Sequence, residues 1–115
     1  MKTNVFITTN FSNEAKKLLK KYKSLKSELE ILESQLKDNP TLGSSIGNNS
    51  FKIRLAVKSK GQGKRGGIRI ITHLDVIFVK DEKINELYLL SIFDKSQTET
   101  ISQKEILNII KQIDD

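Results

Sequence analysis

Cysteine does not occur in this chain, and histidine occurs once, as His73. Thiol catalysis, disulfides and thiolate metal sites are therefore excluded, and one imidazole does not build a histidine-based zinc or iron centre. No apolar run approaches the length of a membrane span. The opening "MKTNVFITTNF" has no apolar stretch of signal-peptide length. Aromatic residues make up only 6% of the chain, and a platform for stacking single-stranded bases needs several exposed rings. The expectation is a cytoplasmic protein with no membrane attachment, no metal and no cofactor.

What is present is ordinary in amount and unusual in placement. The 115 residues are 37% hydrophobic and 30% charged, enough for a single core, and are read as one domain over residues 1–115. Net charge is +6, which suits a polyanionic or acidic partner. Residues 1–51 carry a net +3, residues 52–69 a net +7 and residues 70–115 a net −4. The stretch "KIRLAVKSKGQGKRGGIRII", Lys52 to Ile71, holds seven Lys or Arg, no acid, and four of the six glycines. Self-repulsion on that scale calls for a polyanion to offset it.

Apolar periodicity places the elements. "VFI", Val5 to Ile7, reads as a short strand. Phe11, Ala15, Leu18, Tyr22, Leu25, Leu29, Leu32 and Leu36 follow at alternating spacings of four and three, a helical stripe that Ser12 can open and Pro40 closes. It is one long helix, or a hairpin broken near Ser24. "PTLGSSIGNNS" reads as a polar linker. "FKIRLAVK" alternates, with Phe51, Ile53, Leu55 and Val57 on one side and Lys52, Arg54, Ala56 and Lys58 on the other. Ile68 to Val79 is a longer strand with a bend expected near Leu74 and Asp75, and Leu87 to Phe93 a third. Ser102 and Glu105 form a capping box for a last helix that buries Ile106, Ile109, Ile110 and Ile113. The fold class expected is α+β: a small, mostly antiparallel sheet with an N-terminal helix or helix hairpin and a C-terminal helix. Helices then cover one face of the sheet and leave the other partly bare.

Gly61, Gly63 and Gly66 spell GxGxxG, but a strand follows where a dinucleotide site needs a helix N-terminus. These glycines are read instead as freedom for a strand-joining loop. Alternation brings Lys52, Arg54 and Arg69 toward one surface, with Lys95 two residues past Phe93 at the strand's exit. Lys58, Lys60, Lys64 and Arg65 are expected to hold RNA phosphates beside it. His73, in phase with Arg69, is a possible general base.

The run "KIRLAVK", a Gly-rich basic loop, "GGIRIITHL", and "YLLSIFDKSQTETISQKEILNIIKQ" together resemble the RelE/ParE superfamily of bacterial toxins, nearest to its HigB/RelE-like members. The likeness is strongest from Phe51 to Ile113. It implies a ribosome-dependent endoribonuclease (an mRNA interferase) that cleaves translated mRNA without a metal and so inhibits translation. Its implied partners are the ribosome, mRNA and a cognate antitoxin protein, with oligomers only through the antitoxin complex. By position, the family's basic catalytic residues fall on Lys52, Arg54, Arg69 and Lys95. The tyrosine of well-studied members falls near Ile101, so this chain has no counterpart and its general base is unassigned. The alternatives are a ParE-like toxin that inhibits DNA gyrase without nuclease activity, and a non-catalytic RNA-binding protein.

Overall fold

A computed structural model describes residues 2–60, 67–97 and 101–113. In chain order the elements are β1 Lys2–Ile7, α1 Thr9–Lys21, α2 Leu25–Asp38, β2 Ser44–Gly47, β3 Ser50–Leu55, β4 Ile68–Val79, β5 Glu82–Asp94 and α3 Gln103–Ile113. The architecture is α+β, with a five-stranded sheet in the order β1-β5-β4-β3-β2.

The helical stripe is a hairpin. Thr8 rather than Ser12 opens α1: its side chain accepts from the Phe11 N–H at 3.1 Å and its hydroxyl donates to the Leu89 carbonyl at 2.8 Å. One residue thus caps the helix and moors it to β5. Tyr22 leaves the helix in an extended conformation, φ −118°. No Gly or Pro marks that break. The helices diverge because Tyr22 and Ser24 are held by partners distant in sequence, described below. At the far end the Asn39 N–H bonds Gln35 at 2.8 Å, and Pro40 stops α2 as expected.

Three of the sequence expectations for strands change. The polar linker contains β2, which returns on β3 through Asn48 and Asn49, both left-handed at φ 54° and 55°. Gly43 precedes it at φ +103°, where a Cβ would collide with the Lys52 carbonyl. β5 begins at Glu82 rather than Leu87, because Lys80 and Asp81 alone make the turn, with φ 52° and 66°. The irregularity expected near Leu74 and Asp75 sits instead across from Ile71 and Thr72, where Leu90 is the extra residue on β5.

The sheet is mixed, not mostly antiparallel. β1 pairs parallel with β5, from Lys2 opposite Ile84 to Ile7 opposite Leu89, while the other pairings are antiparallel. Nor is one face left bare. Phe11, Ala15, Leu18, Tyr22, Leu25, Leu32 and Leu36 of the hairpin pack on Ile53, Ile68, Ile70, Leu87 and Ile92. On the opposite face Ile106 of α3 packs on Ile71, Leu90 and Phe93. The capping box forms as expected, with the Glu105 N–H 3.1 Å from Ser102 Oγ. Gln103 donates to the Ile46 carbonyl of β2, whereas Ile109 and Ile113 line a cleft with Phe6 and Ile7 of β1. α3 therefore crosses the sheet from one edge strand to the other. Among the described residues, no helix is long and apolar enough to cross a membrane.

The β4–β5 hairpin outruns its neighbour. β3 pairs with β4 only as far as His73, so the edge from Asp75 to Val79 is open, and Phe78 on it is 70% exposed. An open apolar edge invites association with another strand. Phe78→Lys is expected to change unfolding free energy by less than about 0.5 kcal/mol while lowering light scattering of concentrated solutions. Urea titration and static scattering check both.

Candidate nucleic-acid interface

The β3–β4 register decides which cations meet. Arg54 lies directly opposite Arg69, and Lys52 opposite Ile71. Directly opposed residues of an antiparallel pair project to the same side, and Ile71 belongs to the cluster under α3. Lys52, Arg54 and Arg69 therefore share the α3 face. Their exposures differ sharply. Arg54 is exposed and Lys52 half-buried, but Arg69 is only 2% exposed and is the largest fully buried side chain. In the register it stands between Arg54 and the buried Phe93. The expected bare surface of four cations is corrected accordingly: α3 packs on this side of the sheet, and Arg69 is buried. Alternation specifies a side chain's face and not what covers that face.

Burial, and then the charge of Arg54, push the Arg69 guanidinium below its usual pKa. Guanidinium stays protonated regardless. Two like charges directly opposed in a sheet cost stability, and among the described residues neither Lys52 nor Arg54 forms an ion pair. Lys95 is exposed one residue beyond β5, and its N–H bonds the Gly67 carbonyl at 3.3 Å. β2 pairs with β3 only as far as Lys52. Beyond it, α2 and β3 enclose a groove of about 810 Å³, lined by Leu32, Leu42, Lys52, Arg54 and Leu55 among others.

The basic loop is anchored before it begins. The single 3₁₀ turn Lys58–Lys60 follows β3. Lys60 Nζ lies 3.1 Å from Asp94 Oδ1, with both side chains buried. Tyr22 donates to Asp94 Oδ2 at 2.7 Å, and the N–H and hydroxyl of Ser96 donate to Oδ1 at 2.9 and 2.7 Å. Burial alone would raise the Asp94 pKa. The hydrogen bonds from Ser96, Tyr22 and Lys60 outweigh it and hold the carboxyl well below the usual range. Lys60, expected to hold RNA, is thus engaged with Asp94. The Lys58 N–H bonds Glu28 at 2.9 Å, and Ser59 bonds Ser24 at 2.8 Å between hydroxyls. Lys58 is exposed but on the hairpin's side of the molecule. Lys64 and Arg65, with Gly61, Gly63 and Gly66, lie outside the described residues.

His73 shares the face of Arg69 but stands four residues along the strand, about 13 Å away at the usual rise. It is 8% exposed, with Nδ1 3.3 Å from Ser50 Oγ and Nε2 3.3 Å from Asp75. The possible general base of the sequence analysis is thus set apart from the Arg54–Arg69 pair. Among the described residues no three His, Asp or Glu side chains gather as a metal-binding group. No family model matches the chain, and no solved structure matches it.

Asp94→Asn removes the buried charge on which Tyr22, Lys60 and Ser96 converge and is expected to cost about 3–5 kcal/mol at neutral pH. A carboxyl whose folded pKa is depressed contributes stability above its unfolded value, near 4, and loses it as pH falls toward the folded value. The gap between wild type and Asp94→Asn should therefore narrow below about pH 4. Urea titrations of both proteins at pH 7 and pH 3 measure it, and a constant gap contradicts the account.

Proposed function

We propose that the chain is an RNA-cleaving toxin of the RelE/HigB-like kind, acting on mRNA in the ribosome and held inactive by a cognate antitoxin protein. The observation that carries this reading is the directly opposed pair Arg54–Arg69. Two arginines side by side, with Lys52 along the same face, concentrate positive potential at the exposed Arg54, where an RNA phosphate would meet it. The order strand, helix pair, strands and closing helix agrees with the resemblance read from the sequence.

The chemistry assigned is transesterification. The RNA 2′-oxygen attacks the adjacent phosphorus, the bond to the 5′-oxygen breaks, and a 2′,3′-cyclic phosphate and a 5′-hydroxyl remain. The proton lost by the 2′-hydroxyl balances the one gained by the leaving oxygen. Arg54 supplies a two-pronged donor to the non-bridging oxygens as charge builds on them. Arg69, beneath it, adds positive potential without touching substrate. Lys52, one position along β3 on the same face, favours the attacking oxyanion. Lys95 stabilises the leaving oxygen. An acidic segment of the antitoxin laid over Lys52, Arg54 and Lys95 would neutralise the same charges.

Primer extension on an mRNA in translating ribosomes tests the reading. Wild type is expected to cut. Arg54→Gln should cut at least about a hundredfold less, the scale of losing one transition-state donor. Undiminished cutting by Arg54→Gln removes the site. Growth arrest by wild type with no cuts removes the nuclease and favours gyrase inhibition.

A further inference from the structure

A second basic surface lies on the other side of the sheet. From Lys16 to Lys26 the chain holds six lysines and no acid in eleven residues, a denser run than the loop. α1 buries Phe11, Ala15 and Leu18, so at 100° per residue Lys16, Lys17, Lys20 and Lys21 fall on its outer side. All four are exposed, as are Lys23 in the turn and Lys26 at the start of α2. The bonds from Ser59 to Ser24 and from Lys58 to Glu28 set the exposed Lys58 beside that turn. Among the described residues none of these seven lysines has an ion-pair partner. The like-charged pairs Lys16–Lys20 and Lys17–Lys21, one helical turn apart, are destabilising in the free protein.

We infer that this surface binds the phosphate backbone of double-helical RNA, independently of sequence. From Lys16 to Lys21 the helix rises about 7.5 Å, a length over which a duplex presents about four phosphates. The outer side of α1 carries Asn13 and lysines but no aromatic ring, so it reads charge and shape and offers single-stranded bases nothing to stack on. Tyr22, the nearest ring, is buried with the Lys21 ammonium 5.4 Å from its centroid. A membrane surface fits poorly, because an interfacial helix must insert its apolar side and that of α1 is committed to the core. The choice of RNA over another polyanion rests on the reading of the opposite face. The protein would then sit between two RNA elements, a single strand at Arg54 and a duplex against α1.

The test is fluorescence anisotropy of a labelled RNA duplex of about 20 base pairs, titrated over a series of KCl concentrations. The variant carries Lys16→Gln, Lys17→Gln, Lys20→Gln and Lys21→Gln. Glutamine matches lysine in helix propensity and removes the repulsion, so the variant should fold, as circular dichroism can verify. Its affinity at low salt is expected to fall at least tenfold, and the slope of log affinity against log salt to weaken by about three to four. Unchanged affinity and slope overturn the inference. So does loss of binding to phosphatidylserine vesicles while duplex binding persists. Wild type that grips the duplex through these lysines but cuts no mRNA supports this surface and removes only the nuclease. Duplex binding lost in Arg54→Gln but kept in the lysine variant overturns it.

Discussion

The buried carboxylate of Asp94 is the point on which the rest of the arrangement depends. It ends β5, and it accepts from Tyr22 at the close of α1, from Lys60 ahead of the basic loop, and from Ser96 at the exit of the sheet. Three segments far apart in sequence are thereby fixed to one atom group. Desolvating the carboxylate is costly, and only a full set of donors makes it tolerable. With Lys60 held and the Gly67 carbonyl bonded by Lys95, the loop is tied at both of its described ends. Arg69 begins two residues later. The opposed arginines are therefore fixed by backbone register and by anchored flanks, the condition for electrostatics organised before a ligand arrives.

Charge in this protein is sorted by surface. α1 and its turn are basic, α2 is largely acidic with Glu28, Glu30, Glu33 and Asp38, and the arginines lie beyond the sheet on the α3 side. Both basic regions set like charges close together, a lasting cost in the free protein. The hydrophobic contacts on the two sheet faces carry that cost. The polar functions are thus separated from one another by the core.

Much of this was legible locally. β4 was read with its true bounds because Gly67 and the left-handed Lys80 flank a run of apolar residues. The capping box and the isoleucine stripe of α3 were equally plain, as was the stop at Pro40. The break between α1 and α2 was open, because its cause is Tyr22 and Ser24 reaching partners beyond residue 58. β2 was missed because its alternation is nearly all small and polar, although "GNNS" carried the signature of a two-residue turn. A capping box does not say which face a helix covers, so the sequence alone leaves Arg69 on an open face, where the structure buries it. Parallel pairing of β1 with β5 is wholly non-local. The lysines of α1 went unnoticed as a patch because the acids of α2 cancel them in a running sum.

The central claim is that the Arg54–Arg69 face directs attack by an RNA 2′-oxygen. Its most direct test is the chemical identity of the new ends. After incubation of mRNA and translating ribosomes with the protein, the 3′ ends of the upstream fragments are determined by mass spectrometry. A 2′,3′-cyclic phosphate paired with a 5′-hydroxyl is the predicted result. A 3′-hydroxyl paired with a 5′-phosphate contradicts it, because water and not the neighbouring sugar would then be the nucleophile.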